Sequence, residues 1–113
     1  MATTHALAGM LLVSVTGLVA PEYLPVTVGA AAVGGLFPDL DLYGDHRRTL
    51  HYPVLYSLGV LPLAALAVVV PTAGTVAVVA FVASAALHST MDALGGGLEL
   101  KPWQGTSERA VYD

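Results

Sequence analysis

The sequence predicts an all-α fold, a polytopic bundle of four short transmembrane helices that forms a single domain over residues 1–113. Hydrophobic residues make up 56% of the chain and charged residues only 11%, less than half of the roughly 25% typical of soluble domains. The mean hydropathy is +0.74. Because so few charges cannot solvate a surface in water, we expect lipid to surround most of the chain and predict a bilayer as its principal partner.

The first helix is expected at residues 5–20, since residues 6–20 contain no charged side chain. With their flanks they approach the roughly 17–25 residues that span a bilayer. A signal peptide would begin with basic residues, whereas the first ionisable side chain here is His5. We therefore expect a retained membrane helix, with a cleaved leader as the alternative, and a turn at the two prolines Pro21 and Pro25.

Three further apolar runs predict the other helices. The second, at 24–37, is rich in glycine and alanine, which let helices approach closely in lipid and would also permit a homodimer. The third, at 53–70, begins at Pro53, and proline suits the first turn of a helix. The fourth, at 73–94, ends before Gly95–Gly97, because glycine takes the left-handed conformation common at helix C-termini.

A polar loop at 38–52 and an interfacial tail at 95–113 complete the predicted organisation. If the helices alternate in direction, the loop, the tail and the N-terminus lie at one membrane face. This face holds every basic residue of the chain, namely Arg47, Arg48, Lys101 and Arg109. Because basic residues favour the cytoplasmic side, we predict a multi-pass protein of the cell (inner or plasma) membrane with both termini in the cytoplasm. A net charge of −4 makes nucleic-acid binding unexpected.

The same alternation places every histidine and every aspartate at the cytoplasmic face, although they come from four segments of the chain. The chain has no cysteine, so a metal site must use imidazole and carboxylate, a donor set that suits zinc or manganese. Such a set could hold one or two ions. Two further aspartates, Asp45 and Asp113, are expected to be solvated and not to bind metal. The candidate metal ligands are His5, Asp39, Asp41, His46, His51, His88 and Asp92.

The spacing within this set indicates how its members meet. His88 and Asp92 are four residues apart, so on a helix they share one face. Asp39 and Asp41, two residues apart, point the same way if the chain between them is extended. A role as an interfacial or solvent-facing polar group stays open for His5 and His46.

The chemistry predicted from this cluster is hydrolysis of a phosphoester or lipid-linked substrate by metal-activated water. Paired divalent ions commonly catalyse such reactions, and a guanidinium matches the oxygens of a phosphate group. We assign the catalytic roles to Asp39, Asp92 and Arg47. As alternatives, Arg47 and Arg48 could only set the topology, and the cluster could belong to a metal-handling or transport protein or to a non-catalytic assembly subunit.

Four motifs in a fixed order bear on this assignment. They are His5 with Gly9 one turn later, then Gly35-Leu36-Phe37-Pro38-Asp39-Leu40-Asp41, then His46-Arg47 followed by His51, and finally His88-Ser89-Thr90-Met91-Asp92 followed by glycines and Lys101-Pro102-Trp103. Together they resemble the YdjM-like (DUF457) family of membrane-bound metal-dependent hydrolases. The resemblance implies a small polytopic membrane hydrolase in which the seven histidine and aspartate residues named above bind metal. Thr49-Leu50-His51-Tyr52 departs from that family's usual Thr-His-Ser ending.

Overall fold

A computed structural model describes residues 2–44, 46–105 and 109–112, so the expectation for Asp45 and Asp113 lies outside the described residues. Helix dominates this part of the chain, which confirms the all-α prediction. Short 3₁₀ helices occupy Pro21–Tyr23, Pro38–Tyr43 and Pro102–Gln104. The α-helices are α1 (Ala2–Val13), α2 (Thr16–Val19), α3 (Leu24–Leu36), α4 (Pro53–Val69) and α5 (Ala73–Gly96), and two short strands follow, β1 (Leu98–Glu99) and β2 (Val111–Tyr112).

The helices have the length and surface of membrane-spanning segments. Among the described residues, three helical stretches are long and apolar enough to cross a membrane, namely Ala2–Val19, Pro21–Tyr43 and Ala73–Gly96, while α4 is a shorter apolar helix. Large apolar side chains cover their outer surfaces; Leu18, for example, is 85% exposed. A surface of this kind is stable in lipid and not in water, so these helices indicate a membrane protein.

The first predicted helix is interrupted near its middle, between α1 and α2. Ser14 Oγ donates a hydrogen bond to Leu11 O at 2.7 Å, and Thr16 Oγ1 donates to Val13 O at 2.8 Å. Hydroxyl groups that bond to carbonyls of the preceding turn compete with the backbone ladder of a helix. The backbone responds with tighter bonds of the 3₁₀ type, such as Gly17 N to Ser14 O. The helical stretch Ala2–Val19 therefore contains a short break at Ser14 and Val15.

Small residues allow α1, α3 and α5 to pack closely around a common core, while α4 packs on α5. Gly34 of α3 lies directly against the backbone of Phe81 in α5. On the neighbouring side of α3, Ala31 is fully buried and its carbonyl accepts a hydrogen bond from Ser84 Oγ at 2.7 Å. Close approach through small residues is the usual way in which helices associate in lipid. Gly34 and Ala31 thus serve contacts between α3 and α5.

We expect Gly34→Ala to destabilise the fold by about 1–3 kcal/mol, because its new methyl group would meet rigid backbone and force α3 away from α5. Gly29→Ala in the same helix is the matched control, since no described atom lies within 4 Å of the position that its new methyl group would take. Unfolding of both variants in detergent measures the difference. Equal unfolding temperatures for the two variants would show that the close contact is unimportant.

The tail folds back onto the end of α5. The helix continues to Gly96, two residues beyond the predicted end, because among the three glycines only Gly97 leaves the helix, with φ at 93°. Strands β1 and β2 then pair in parallel, with Leu98 opposite Val111. Val111 is fully buried. This return of the chain places residues 109–112 beside the polar end of the helix bundle.

Candidate metal centre

Four side chains from three segments meet at the polar end of the bundle. Asp39 lies on the 3₁₀ helix that follows α3, and His51 lies just before α4. His88 and Asp92 lie one turn apart on α5, and both are buried, which agrees with their predicted common face. These four residues, Asp39, His51, His88 and Asp92, are called the quartet below.

The donor atoms of the quartet all lie within 4.8 Å of one another, close enough to share one metal ion. Asp92 Oδ2 lies 3.0 Å from His51 Nε2 and 3.6 Å from His88 Nε2. Asp39 Oδ1 lies 3.9 Å from His51 Nε2 and 3.4 Å from His88 Nε2. Ligand atoms at about 2.0–2.1 Å from a tetrahedral zinc ion are roughly 3.3–3.4 Å apart. The observed separations lie on both sides of that value, so the quartet could hold one divalent ion.

The two imidazoles present unused nitrogen atoms to the centre of the quartet. Nε2 of His51 and Nε2 of His88 are buried, and neither has a hydrogen-bond partner within the described part of the chain. Asp92 Oδ2 comes within 3.0 Å of His51 Nε2, but without the geometry of a hydrogen bond. Buried polar atoms left without a partner cost free energy. A bound cation would remove that cost, so the residues present fit a metal ion.

The opposite nitrogen of each ring is fixed by a hydrogen-bond acceptor. His88 Nδ1 donates to the carbonyl oxygen of Gly35 at 2.6 Å, and His51 Nδ1 donates to Asp41 Oδ2 at 2.8 Å. A carbonyl oxygen can only accept, so Nδ1 of His88 carries a proton, and in the neutral ring the lone pair of Nε2 faces the quartet. Metal-binding histidines in proteins almost always have such a partner on the other nitrogen. Both rings therefore have the tautomer that metal binding needs.

Asp41 lies beside the quartet, and its carboxylate accepts hydrogen bonds from two histidines. Its Oδ1 accepts a hydrogen bond from His46 Nδ1 at 2.8 Å, while its Oδ2 accepts from His51 Nδ1 and from the Leu50 amide. The extended chain that would make Asp39 and Asp41 point the same way is not found, because residues 38–43 form a 3₁₀ helix. In a 3₁₀ helix residues two apart point in different directions.

His5 and Arg47 approach the other oxygen of Asp92. His5 is buried, and its Nε2 lies 3.7 Å from Asp92 Oδ1. One guanidinium nitrogen of Arg47, Nη2, lies 3.5 Å from the same oxygen. His46 completes this side, with a side chain 40% exposed. Asp92 therefore faces the quartet with Oδ2 and faces His5 and Arg47 with Oδ1.

A cavity of about 220 Å³ opens beside the quartet. Two quartet residues, Asp39 and Asp92, line it together with three other ionisable residues. Its lining consists of Ala2, His5, Asp39, Leu42, His46, Arg47 and Asp92. A larger, apolar groove of about 470 Å³ lies between α4 and α5 and is lined by none of these polar groups. The cavity therefore adjoins two of the four quartet residues.

All seven histidine and aspartate residues selected from the sequence lie in this region, and four of them meet in the quartet. Sequence analysis did not identify two backbone groups that contribute to the site. They are the backbone carbonyls of Gly35, which holds His88, and of Arg109, which accepts a hydrogen bond from Arg47. A backbone carbonyl has no side-chain signature, so no residue type could have indicated either.

Comparison of the chain with protein-family models, curated proteins and solved structures found no match.

Proposed function

We propose that the protein is a membrane-embedded, metal-dependent hydrolase of phosphoesters. The observation that carries the proposal is the pair of buried Nε2 atoms, from His51 and His88, that face two carboxylates without a hydrogen-bond partner among the described residues. We further propose membership of the YdjM-like family, supported by the order of the four sequence motifs. The basic residues of the loop and tail support a position of the centre at the cytoplasmic face of the cell membrane.

The quartet would hold the ion, with zinc or manganese best suited to two imidazoles and two carboxylates. When bound, such an ion supplies a Lewis acid and makes a coordinated water more acidic. Asp41 and the Gly35 carbonyl keep the two imidazoles oriented and in the required tautomer. His5 lines the cavity, and its Nε2 lies 3.7 Å from Asp92 Oδ1. A second ion would bind, or a proton would be exchanged, at this position.

Arg47 gives the cavity its affinity for phosphate in this proposal. Arg47 lines the cavity together with Asp39 and Asp92, and guanidinium groups bind phosphate oxygens through charge-assisted hydrogen bonds. A phosphoryl group in the cavity would contact Arg47 on one side and the quartet on the other. The carboxylates alone would repel such an anion, so the guanidinium is needed for binding.

We expect Arg47→Ala to lower kcat/KM for a phosphoester about 10- to 100-fold, the loss typical of a hydrogen bond to a charged group. Arg48→Ala is the matched control, because it removes the same charge from the neighbouring position and Arg48 does not line the described cavity. Steady-state kinetics in detergent measures both variants. Equal losses in the two variants would indicate an effect of charge or topology and not of phosphate contact.

A substrate screen tests the proposed activity itself. Protein in detergent, supplied with zinc or manganese, is assayed with a phosphomonoester, a phosphodiester and a phospholipid. We expect metal-dependent hydrolysis of at least one class, abolished by Asp39→Ala combined with Asp92→Ala. Metal-loaded protein that hydrolyses none of the three would refute the proposal, as would full activity in the double variant.

A further inference from the structure

The C-terminal segment reaches the candidate metal centre through Arg47. One guanidinium nitrogen, Nη1, donates a hydrogen bond to the backbone carbonyl of Arg109 at 3.0 Å. The other, Nη2, lies 3.5 Å from Asp92 Oδ1. The Arg47 side chain therefore connects the tail to a carboxylate of the quartet.

Because Gly96 has no side chain, the Arg47 side chain has room to pass beside it. A methyl group at Gly96 would lie 2.5 Å from Arg47 Nη1 and would also collide with the carbonyl oxygen of Arg109. The preceding residue, Gly95, has open space, with no described atom within 4 Å of the same position. The backbone of Arg47 has φ at 64°, a left-handed conformation that is unfavourable for residues other than glycine. Local contacts thus hold Arg47 in a specific conformation.

Pairing of the tail with the end of α5 fixes the Arg109 carbonyl. The Val111 amide donates a hydrogen bond to Gly97 O at 3.0 Å, and β2 pairs with β1 in parallel. Ala110 and Val111 are buried, at 4% and 0% exposure. The segment directly after Arg109 is therefore packed against the bundle, so the carbonyl is a stable anchor for the guanidinium.

We propose that the C-terminal segment, residues 109–112, completes an oxyanion-binding site beside the quartet by positioning Arg47. This inference rests on the proposed function and names its ligand as a tetrahedral oxyanion of the phosphate type. A guanidinium has five N–H donors, more than the contacts to Arg109 and Asp92 use, and its planar fork binds phosphate best when already oriented. Arg109 contributes its backbone carbonyl to the guanidinium of Arg47, so in this inference it is a positioning residue.

Gly96→Ala and its matched control, Gly95→Ala, test this inference in the full-length chain. Zinc stoichiometry and the affinity for inorganic phosphate are measured by titration calorimetry in detergent. We expect both variants to bind zinc like the wild type, and Gly96→Ala alone to bind phosphate about 10- to 100-fold more weakly. Wild-type phosphate affinity in zinc-loaded Gly96→Ala would overturn the inference.

A second variant serves if Gly96→Ala does not fold, as judged by loss of zinc binding. Val111→Pro removes the N–H that holds the tail on Gly97, and we expect the same selective loss of phosphate affinity. An unchanged affinity would overturn the inference.

The outcomes separate this inference from the proposed function. Phosphoester hydrolysis with equal phosphate affinity in the Gly95 and Gly96 variants would refute the inference alone. Selective phosphate binding without hydrolysis of any substrate would refute the proposed activity alone.

Discussion

Replacement of His88 by alanine is expected to lower zinc affinity by more than about 100-fold and to abolish metal-dependent activity. Loss of a residue that merely orients a metal ligand typically costs 10- to 100-fold, and His88 contributes a donor atom itself. Its Nε2 lies 3.4 Å from Asp39 and 3.6 Å from Asp92. The substitution also leaves the Gly35 carbonyl without its hydrogen bond, which disturbs the contact between α3 and α5.

Titration of zinc into the detergent-solubilised variant measures this effect. Thr90→Ala is the matched control on α5, since its Oγ1 donates to the Ala86 carbonyl of its own helix and the residue lies outside the quartet. We expect Thr90→Ala to bind zinc like the wild type. If His88→Ala also retained wild-type affinity, the ligand assignment of the quartet would have to be abandoned.

Asp41→Asn is expected to weaken zinc binding about 10- to 100-fold although all four quartet residues remain. The carboxylate of Asp41 accepts hydrogen bonds from His46, from His51 and from the Leu50 amide. An amide of the same shape has one accepting oxygen, so its NH₂ group must face one of these donors. If the amide keeps its oxygen toward His51 and Leu50, its NH₂ group faces His46, and a neutral amide oxygen still accepts a weaker hydrogen bond from His51 than a carboxylate does. The His51 ring is then held less firmly and is a less basic ligand.

The control for Asp41→Asn is Glu22→Gln, which removes one negative charge from an exposed position in the turn before α3. We expect this control to retain wild-type zinc affinity. Titration of both variants at the same pH distinguishes a specific orienting role from a general effect of charge. If Asp41→Asn and Glu22→Gln bound zinc equally well, the hydrogen bonds of Asp41 would have no part in metal binding.

Topology made most of the candidate site predictable from sequence. Alternating helices bring His51, His88 and Asp92 to one end of the bundle although up to 41 positions separate them along the chain. The four-residue spacing of His88 and Asp92 predicted their common face on a helix, and both are found there, buried in α5. Apolar composition predicted the helical fold, because a backbone in lipid must satisfy its own hydrogen bonds.

The division of roles among the ligands could not be predicted, because it depends on local backbone conformation. Whether Asp39 and Asp41 share a side is decided by the 3₁₀ helix at 38–43, and periodicity cannot distinguish so short an element from an extended turn. The break after Val13 likewise depends on hydroxyl groups that can bond either to solvent or to the backbone. The return of the tail requires the pairing of β1 with β2, which is too short to leave a pattern in sequence.

The metal content of the wild-type protein tests the central claim most directly. The protein is purified in detergent without chelators from cells supplied with zinc and manganese, beside the double variant His51→Ala, His88→Ala, and both are analysed by elemental mass spectrometry. We expect at least one divalent ion per wild-type chain and none in the double variant. A folded wild type without stoichiometric metal, or equal metal content in the two proteins, would contradict the assignment of Asp39, His51, His88 and Asp92 as a metal centre.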